Sequence, residues 1–339
     1  MNLKETLKLL CEPEGVAGSE KTAAKTAEKL LREYIPNTEI DNFGTVTGII
    51  NHDESLPLLL LDAHIDEIGM IVNFIDEKGF LKVGRAGGVD RRALPAATVT
   101  IHAEKPLKGV VCTLPPHVKK EEDKTLKEED IIIDCGLTGE QARTLISLGD
   151  PVTVDVEFTE LKNKMVNARA LDDRAGVCAI LYALDLLKDK KLRFNLAVSF
   201  SSQEELGLRG AAIAAYNINP DLAIEVDVSY GDFPKCEENK TGRLGEGVML
   251  GVAPTLDRGF FEELKTIAKN KSIPFQIEVM GGKTSTNTDI ISISRGGVKC
   301  ALLSLPLRNM HTPAEVVCLQ DIESAGRLIA AYCMEVKNA

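Results

Sequence analysis

The sequence predicts an α/β fold, a mostly parallel sheet flanked by helices, with a small β-barrel inserted into it. Three observations carry this prediction. From about residue 167 onward, helical patterns and short apolar strands alternate, as in sheets sandwiched by helices. From about residue 68 to 166, short β-type runs follow one another with turn signals between them, the texture of a small barrel or sandwich. Ahead of both, Leu56-Pro57-Leu58-Leu59-Leu60-Leu61 is a continuous apolar run of strand length, as a strand buried on both faces requires. The α/β domain is therefore expected in two parts, residues 1–67 and 167–339, flanking a β-rich insert at 68–166.

The elements follow in order. The N-terminus reads as a short amphipathic helix whose apolar side is Leu3, Leu7, Leu9 and Leu10, and a second helix is expected over Thr22–Tyr34. Within the insert, strands are expected at Gly69–Ile75, Phe80–Val83, Thr98–Ala103, Lys108–Thr113, Ile131–Asp134 and Pro151–Phe158, with one helix near Glu140–Ser147. The charged stretch Lys119–Asp130 reads as a solvated loop. The second part of the α/β domain alternates: helix Asp173–Leu187, strand Leu192–Ser201, helix Leu206–Tyr216, strand Leu222–Val228, helix Phe260–Asn270, strand Cys300–Leu305 and a final helix over Leu319–Val336.

Composition narrows the function. A net charge of −11 argues against nucleic acid, since phosphate binding needs clustered Lys and Arg. No run of about 20 apolar residues predicts a membrane span, and the first residues lack the h-region of a secretory signal. A cytoplasmic protein is expected. The eight cysteines are scattered singly without a CxxC pair, so they read as reduced thiols and not as a zinc site.

Chemistry is concentrated where apolar strands end, the place where open α/β sheets bind ligands. Ala63-His64-Ile65-Asp66-Glu67 follows the leucine run; His64 and Asp66 share a face if the strand continues, and a carboxylate beside a metal-bound histidine fixes its tautomer. An ordinary strand-end turn is the alternative. Asp172 and Asp173 precede a helix, where capping accounts for one acid and leaves the other free to enter a site. Glu204 and Glu205 follow the strand ending in Phe200, where adjacent carboxylates repel unless a cation or proton intervenes; a solvated helix start is the alternative. Asp227 stands near the end of the apolar strand Leu222–Val228, and an acid there needs a partner. His311 follows the strand Cys300–Leu305. His52 and His102 have no acids patterned around them and read as structural or exposed, and His117 as a loop residue of the insert. Two histidines with several carboxylates and no thiolate suit an exchangeable two-metal hydrolase site.

Four segments carry a resemblance. AHIDEIG at 63–69, ALDDRAG at 170–176, QEELGLRGA at 203–211 and RNMHTPAEV at 308–316 resemble the signatures of one dinuclear-metal aminopeptidase family. It contains the glutamyl aminopeptidases, the tetrahedral (TET) aminopeptidases and the so-called endoglucanase M proteins. GRAGGVD at 84–90, PPH at 115–117, IIIDCG at 131–136 and SLGDPV at 147–152 are similar to its inserted β domain. The resemblance implies a zinc-exopeptidase-like fold and two divalent metal ions per subunit, Zn, Co or Mn. His64 and Asp227 would hold one, Glu205 and His311 the other, and Asp172 would bridge them. Glu204 would be the general base and Asp66 would orient His64. The expected activity is removal of N-terminal residues from short peptides, by a homo-oligomer, often of twelve subunits, assembled through the insert. Ser201-Ser202 departs from the family's usual approach to the Gln-Glu-Glu segment, and Gly245–Pro254 matches it less closely. The competing readings are a related metal-dependent amidohydrolase or deacylase, a glycosidase, and an inactive scaffold subunit. Glycosidases ordinarily work with two opposed carboxylates and no metal, so the two histidines speak against that class.

Overall fold

The computed structural model describes residues 1–50, 53, 55–113, 127–190, 192, 194–237 and 240–335. His52, His117 and most of the Lys119–Asp130 loop fall outside these residues. In chain order the first elements are α1 (Leu3–Cys11), α2 (Lys21–Leu31), β1 (Thr38–Ile40), β2 (Val46–Ile50) and β3 (Leu58–His64). The insert then contributes β4 (Gly69–Ile75), β5 (Leu81–Ala86), β6 (Thr98–Ile101), β7 (Leu107–Val111), β8 (Ile132–Asp134), α3 (Gly139–Leu145) and β9 (Pro151–Val154). The chain returns through β10 (Thr159–Glu160), β11 (Met165–Ala168), α4 (Leu171–Leu187), β12 (Asn195–Ser201), α5 (Arg209–Ile218) and β13 (Leu222–Tyr230). It closes with β14 (Val248–Val252), α6 (Arg258–Asn270), β15 (Phe275–Val279), α7 (Thr288–Ile291), β16 (Lys299–Arg308), β17 (Glu315–Cys318) and α8 (Leu319–Glu335).

Strands β4 to β9 form a closed barrel in the order β4-β5-β8-β7-β6-β9, every pair antiparallel. The other strands form one large sheet. Its centre is parallel, with β12, β3, β13 and β16 side by side, and shorter antiparallel strands extend both margins. The central strands are buried on both faces, which explains their unbroken apolar runs. Leu59, Leu61, Val198, Ile224 and Leu303 face the core built with α4 and α8. Leu60, Ala197, Ala223 and Cys300 face the other way, onto Ala211 and Ala215 of α5 and Ile291 of α7. Side chains alternate along a strand. Asp62 and His64 therefore continue the Leu60 face, Glu225 and Asp227 the Ala223 face, and Ser199 and Ser201 the Ala197 face. One side of the sheet thus becomes polar towards its carboxyl end.

Several elements differ from expectation. Leu9 is half-exposed, and the α1 contacts come from Leu7, Leu10 and Cys11, one helical turn apart. The strand expected over Pro151–Phe158 ends at Val154. Helix α5 starts at Arg209 and not Leu206, because Gly207 and Leu208 both take positive φ (107° and 61°) before the helix can begin. The short strands β1, β2, β10, β11, β14, β15 and β17 carry no apolar run long enough to read. His102, half-buried, meets Thr153 Oγ1 at 2.8 Å through Nε2, a structural role as expected. Among the described residues no helix is long and apolar enough to cross a membrane.

Candidate active site

The fold gathers the polar strand ends into one cluster. His64 is the last residue of β3, Asp227 lies in β13, and Glu204 and Glu205 occupy the turn after β12. Asp172 lies two residues after Ala170, whose φ is +58°, and keeps a non-helical backbone at the mouth of α4, where its peptide bond to Asp173 is cis. His311 sits in the turn between β16 and β17 with a φ of +60°.

Asp172 is central. Its Oδ1 lies 3.0 Å from His64 Nε2 and its Oδ2 lies 3.4 Å from His311 Nε2. His311 Nε2 also lies 3.1 Å from Glu205 Oε1, and His64 Nε2 lies 3.9 Å from Asp227 Oδ1. Three sets of potential donor atoms fall within 4.8 Å of one another: Asp172, Glu205 and His311; His64, Glu204 and Glu205; and His64, Asp173 and Asp227. The paired acids divide their work. Asp173 Oδ1 accepts the Gly176 amide at 3.0 Å and so caps α4, leaving Asp172 to face both imidazoles.

The surrounding hydrogen bonds position these groups. The Asp66 carboxylate accepts the backbone amides of Glu204 (3.0 Å) and Glu205 (3.1 Å), holding the turn that carries both acids. His64 Nδ1 lies 3.2 Å from the Asp66 carbonyl and 3.6 Å from its carboxylate, so the backbone oxygen is the nearer orienting group. Glu315, buried at the start of β17, accepts the amides of Asp172 and His311, each at 3.1 Å. Glu67 is ion-paired to Arg169 and to the fully buried Arg174, which donates to the carbonyls of Leu10 (2.8 Å) and Pro13 (2.6 Å). Burial opposes ionisation of Glu67, but the two guanidiniums outweigh it and hold the carboxyl below its usual range. The roles of Glu67 and Glu315 were not read from the sequence. The available signal was an acid opening an apolar strand, as in Glu315-Val316-Val317, where burial demands partners.

Electrostatics point to a cluster short of positive charge. Burial lifts Glu204 to about 9, with Asp227 and Glu205 adding repulsion against the pull of His64. Burial likewise lifts Asp227 to about 7. Hydrogen bonds to Asp172 and Glu205 raise His311 to about 11. Burial works against ionisation of Asp172 too, but the bonds from His311 and His64 prevail and lower it. Carboxylates crowded this closely cannot all ionise without compensating cations, and imidazole mixed with carboxylate is a donor set that divalent metals accept.

With that geometry in view, similarity to known proteins is informative. The family model for M42 glutamyl aminopeptidases matches residues 44–328. The chain belongs to the M42 aminopeptidase family. It is 31% identical to a lysyl aminopeptidase of Pyrococcus furiosus, covering 98% of this chain and 97% of that one. Among solved structures, an aminopeptidase from the archaeon Desulfurococcus kamchatkensis superimposes with a TM-score of 0.92 at 31% identity, covering 98% of this chain and 95% of that one. The TET1 peptidase of Pyrococcus horikoshii, which can assemble into a tetrahedron or a large octahedral shell, superimposes with a TM-score of 0.87 at 28% identity, covering 99% and 100%. As a member of the M42 family, this chain is a metal-dependent aminopeptidase.

In this M42 aminopeptidase the barrel side of the molecule also walls the site. The loop after β5 brings Gly87 and Gly88 against the cluster, and the Asp90 amide donates to the His311 carbonyl at 3.0 Å. A Cβ on Gly88 would lie 2.4 Å from His311 Nδ1. Gly88→Ala is therefore expected to push the imidazole away from Asp172 and Glu205. A displacement near 1 Å costs about 10²-fold in rate. The check is kcat/KM with thermal stability measured alongside; an unchanged kcat/KM would show that the ring does not depend on this approach.

Proposed function

We propose that this chain is a two-metal aminopeptidase that removes N-terminal residues from short peptides. In this reading His64 and Asp227 would hold one divalent cation, Glu205 and His311 would hold the other, and Asp172 would serve both. The observation that carries it is the Asp172 carboxylate, whose two oxygens face different imidazoles at 3.0 and 3.4 Å. Zinc, cobalt and manganese all suit these donors. Cations bound there would polarise the scissile carbonyl and acidify the attacking water. Glu204 is the general base: buried beside the cluster, it would take the proton of the attacking water once bound cations have drawn off its own, and pass it to the leaving amine. Asp66 keeps Glu204 and Glu205 aimed by holding their amides.

The same reading extends to assembly and compartment. Ile71, Phe74 and Val110 expose apolar surface on the barrel, which supports a role for residues 68–166 as the assembly domain of a homo-oligomer. The TET1 relative's tetrahedron makes a dodecamer the form to look for. All eight cysteines are free thiols, which fits the reducing cytoplasm. The family description names glutamyl aminopeptidases, whereas one relative is a lysyl aminopeptidase, so membership leaves the side-chain preference open.

The test is release of amino acid from aminoacyl-p-nitroanilides by metal-stripped protein, before and after adding Zn, Co or Mn. Restored activity supports the reading; no release with any metal, despite metal binding, would sink it. The acids give a second expectation. Glu204 and Asp227, lifted to about 9 and about 7, hold protons that bound cations must displace. Metal binding should therefore release protons, and affinity should rise with pH between 6 and 8, on the order of tenfold per proton displaced per pH unit. Calorimetry in buffers of different ionisation enthalpy reads this directly, and a pH-independent affinity would contradict it.

A further inference from the structure

Strand β15 brings one more acid to the active face of the sheet. Glu278 pairs in register with Gly251 of β14; Met249 of β14 pairs with Ser304 of β16, and Ser304 pairs with Asp227 of β13. Gly251 has no side chain to stand between Glu278 and that neighbour strand. The Glu278 carboxylate reaches across to accept hydrogen bonds from Ser304 Oγ at 2.6 Å and from Ser229 Oγ. Ser229 lies two residues beyond Asp227 and so on the same face, with Ser304 directly beside Asp227. One strand spacing plus a hydrogen bond puts this carboxylate about 5–8 Å from Asp227.

No cationic side chain pairs with Glu278 among the described residues. Its only bonds among the described residues are to the two hydroxyls, and none is an ion pair. Arg308, on the same face of β16, is held by Asp232, with Nη2 2.7 Å from Oδ1. Lys283, in the turn after β15, is exposed. The half-buried carboxylate fixed by two serines is a built acceptor, and the flexible four-carbon stem of lysine spans the distance from the cluster.

We propose that Glu278 forms the acidic wall of the pocket that receives the side chain of the substrate's N-terminal residue, so that this aminopeptidase prefers Lys and Arg at that position. The proposal rests on the two-metal reading, because Asp227 sets where the peptide's N-terminus lies. It names a preference opposite in sign to the glutamyl description of the family.

The experiment compares kcat/KM for lysyl-, norleucyl- and glutamyl-p-nitroanilide on the metal-loaded enzyme, its Glu278→Gln variant and its Glu278→Lys variant. Norleucine keeps the lysine stem and lacks its ammonium. Lysyl substrate is expected to exceed norleucyl by about tenfold or more, the gap closing to within about threefold in Glu278→Gln while norleucyl turnover stays within about threefold of wild type. Glu278→Lys should favour the glutamyl substrate. Equal lysyl and norleucyl rates, or a lysyl preference that survives Glu278→Gln, would overturn the proposal while norleucyl turnover still upholds the aminopeptidase reading. Calorimetric binding of lysinamide against norleucinamide to the metal-loaded protein reads the pocket without turnover. If no substrate is hydrolysed, the aminopeptidase reading fails, and tighter lysinamide binding lost in Glu278→Gln, or its absence, still decides the pocket.

Discussion

Glu204→Gln is expected to lower kcat by about 10²–10⁴-fold, the usual contribution of a positioned general base. Glutamine keeps the shape of the side chain and cannot accept the proton. Asp66 holds this turn through backbone amides, which the substitution leaves in place, so the neighbouring Glu205 should keep its position. Metal affinity should therefore persist while turnover collapses. A kcat within about threefold of wild type, with both metals bound, would remove Glu204 from the role of base. The same variant has a signature in the metal-free protein. Burial raises Glu204 to about 9 in the fold, above its ordinary 4.5. An acid raised in this way favours the folded state most below its unfolded value, and that contribution is lost as pH rises towards 9. The melting temperature of Glu204→Gln relative to wild type, both in chelator, should thus increase from pH 5 to pH 9. A constant difference across that range would show that Glu204 ionises as freely in the fold as outside it.

Asp172→Asn should be the most damaging change to the metal centre. One carboxylate faces both His64 and His311, and Glu315 and the α4 mouth hold it in place through its own amide. The asparagine keeps one oxygen and loses the charge, so neither imidazole gains a compensating anion. Removing one partner of a buried charged pair costs about 3–5 kcal/mol. A loss on the order of 10³-fold in kcat/KM is expected, with bound metal falling below two ions per subunit. If the residue bridges two cations as proposed, adding His311→Ala should cost little more than Asp172→Asn alone, and a double-mutant cycle would reveal this non-additivity. Fully additive losses, or two ions retained at wild-type affinity, would show that Asp172 does not bridge.

The legible parts of the sequence share one physical cause. Strands β3, β12, β13 and β16 are buried on both faces, and burial of that kind leaves an apolar run that ends where the polar face opens. Their ends were therefore visible, along with His64, Asp227, Glu204, Glu205 and Asp172. The margins were less so. Strands β10 and β17 are short and mixed in character, and their pairing is set by neighbours far away in the chain. Gly245–Pro254, the segment that resembles the family less closely, holds β14.

The residue types and their place at strand ends belong to the sequence alone: two histidines and a set of acids, each closing an apolar run or opening a helix. Which of them meet belongs to the tertiary structure. Asp172 and not Asp173 faces both imidazoles, because the backbone at the α4 mouth aims one acid into the cluster and spends the other on the Gly176 amide. Glu278 lies in Asp227's neighbourhood because β14 and β15 join the sheet beside β16. The period of a strand decides which face a side chain takes, but strand order and register decide its neighbours, and charges act on one another through those distances.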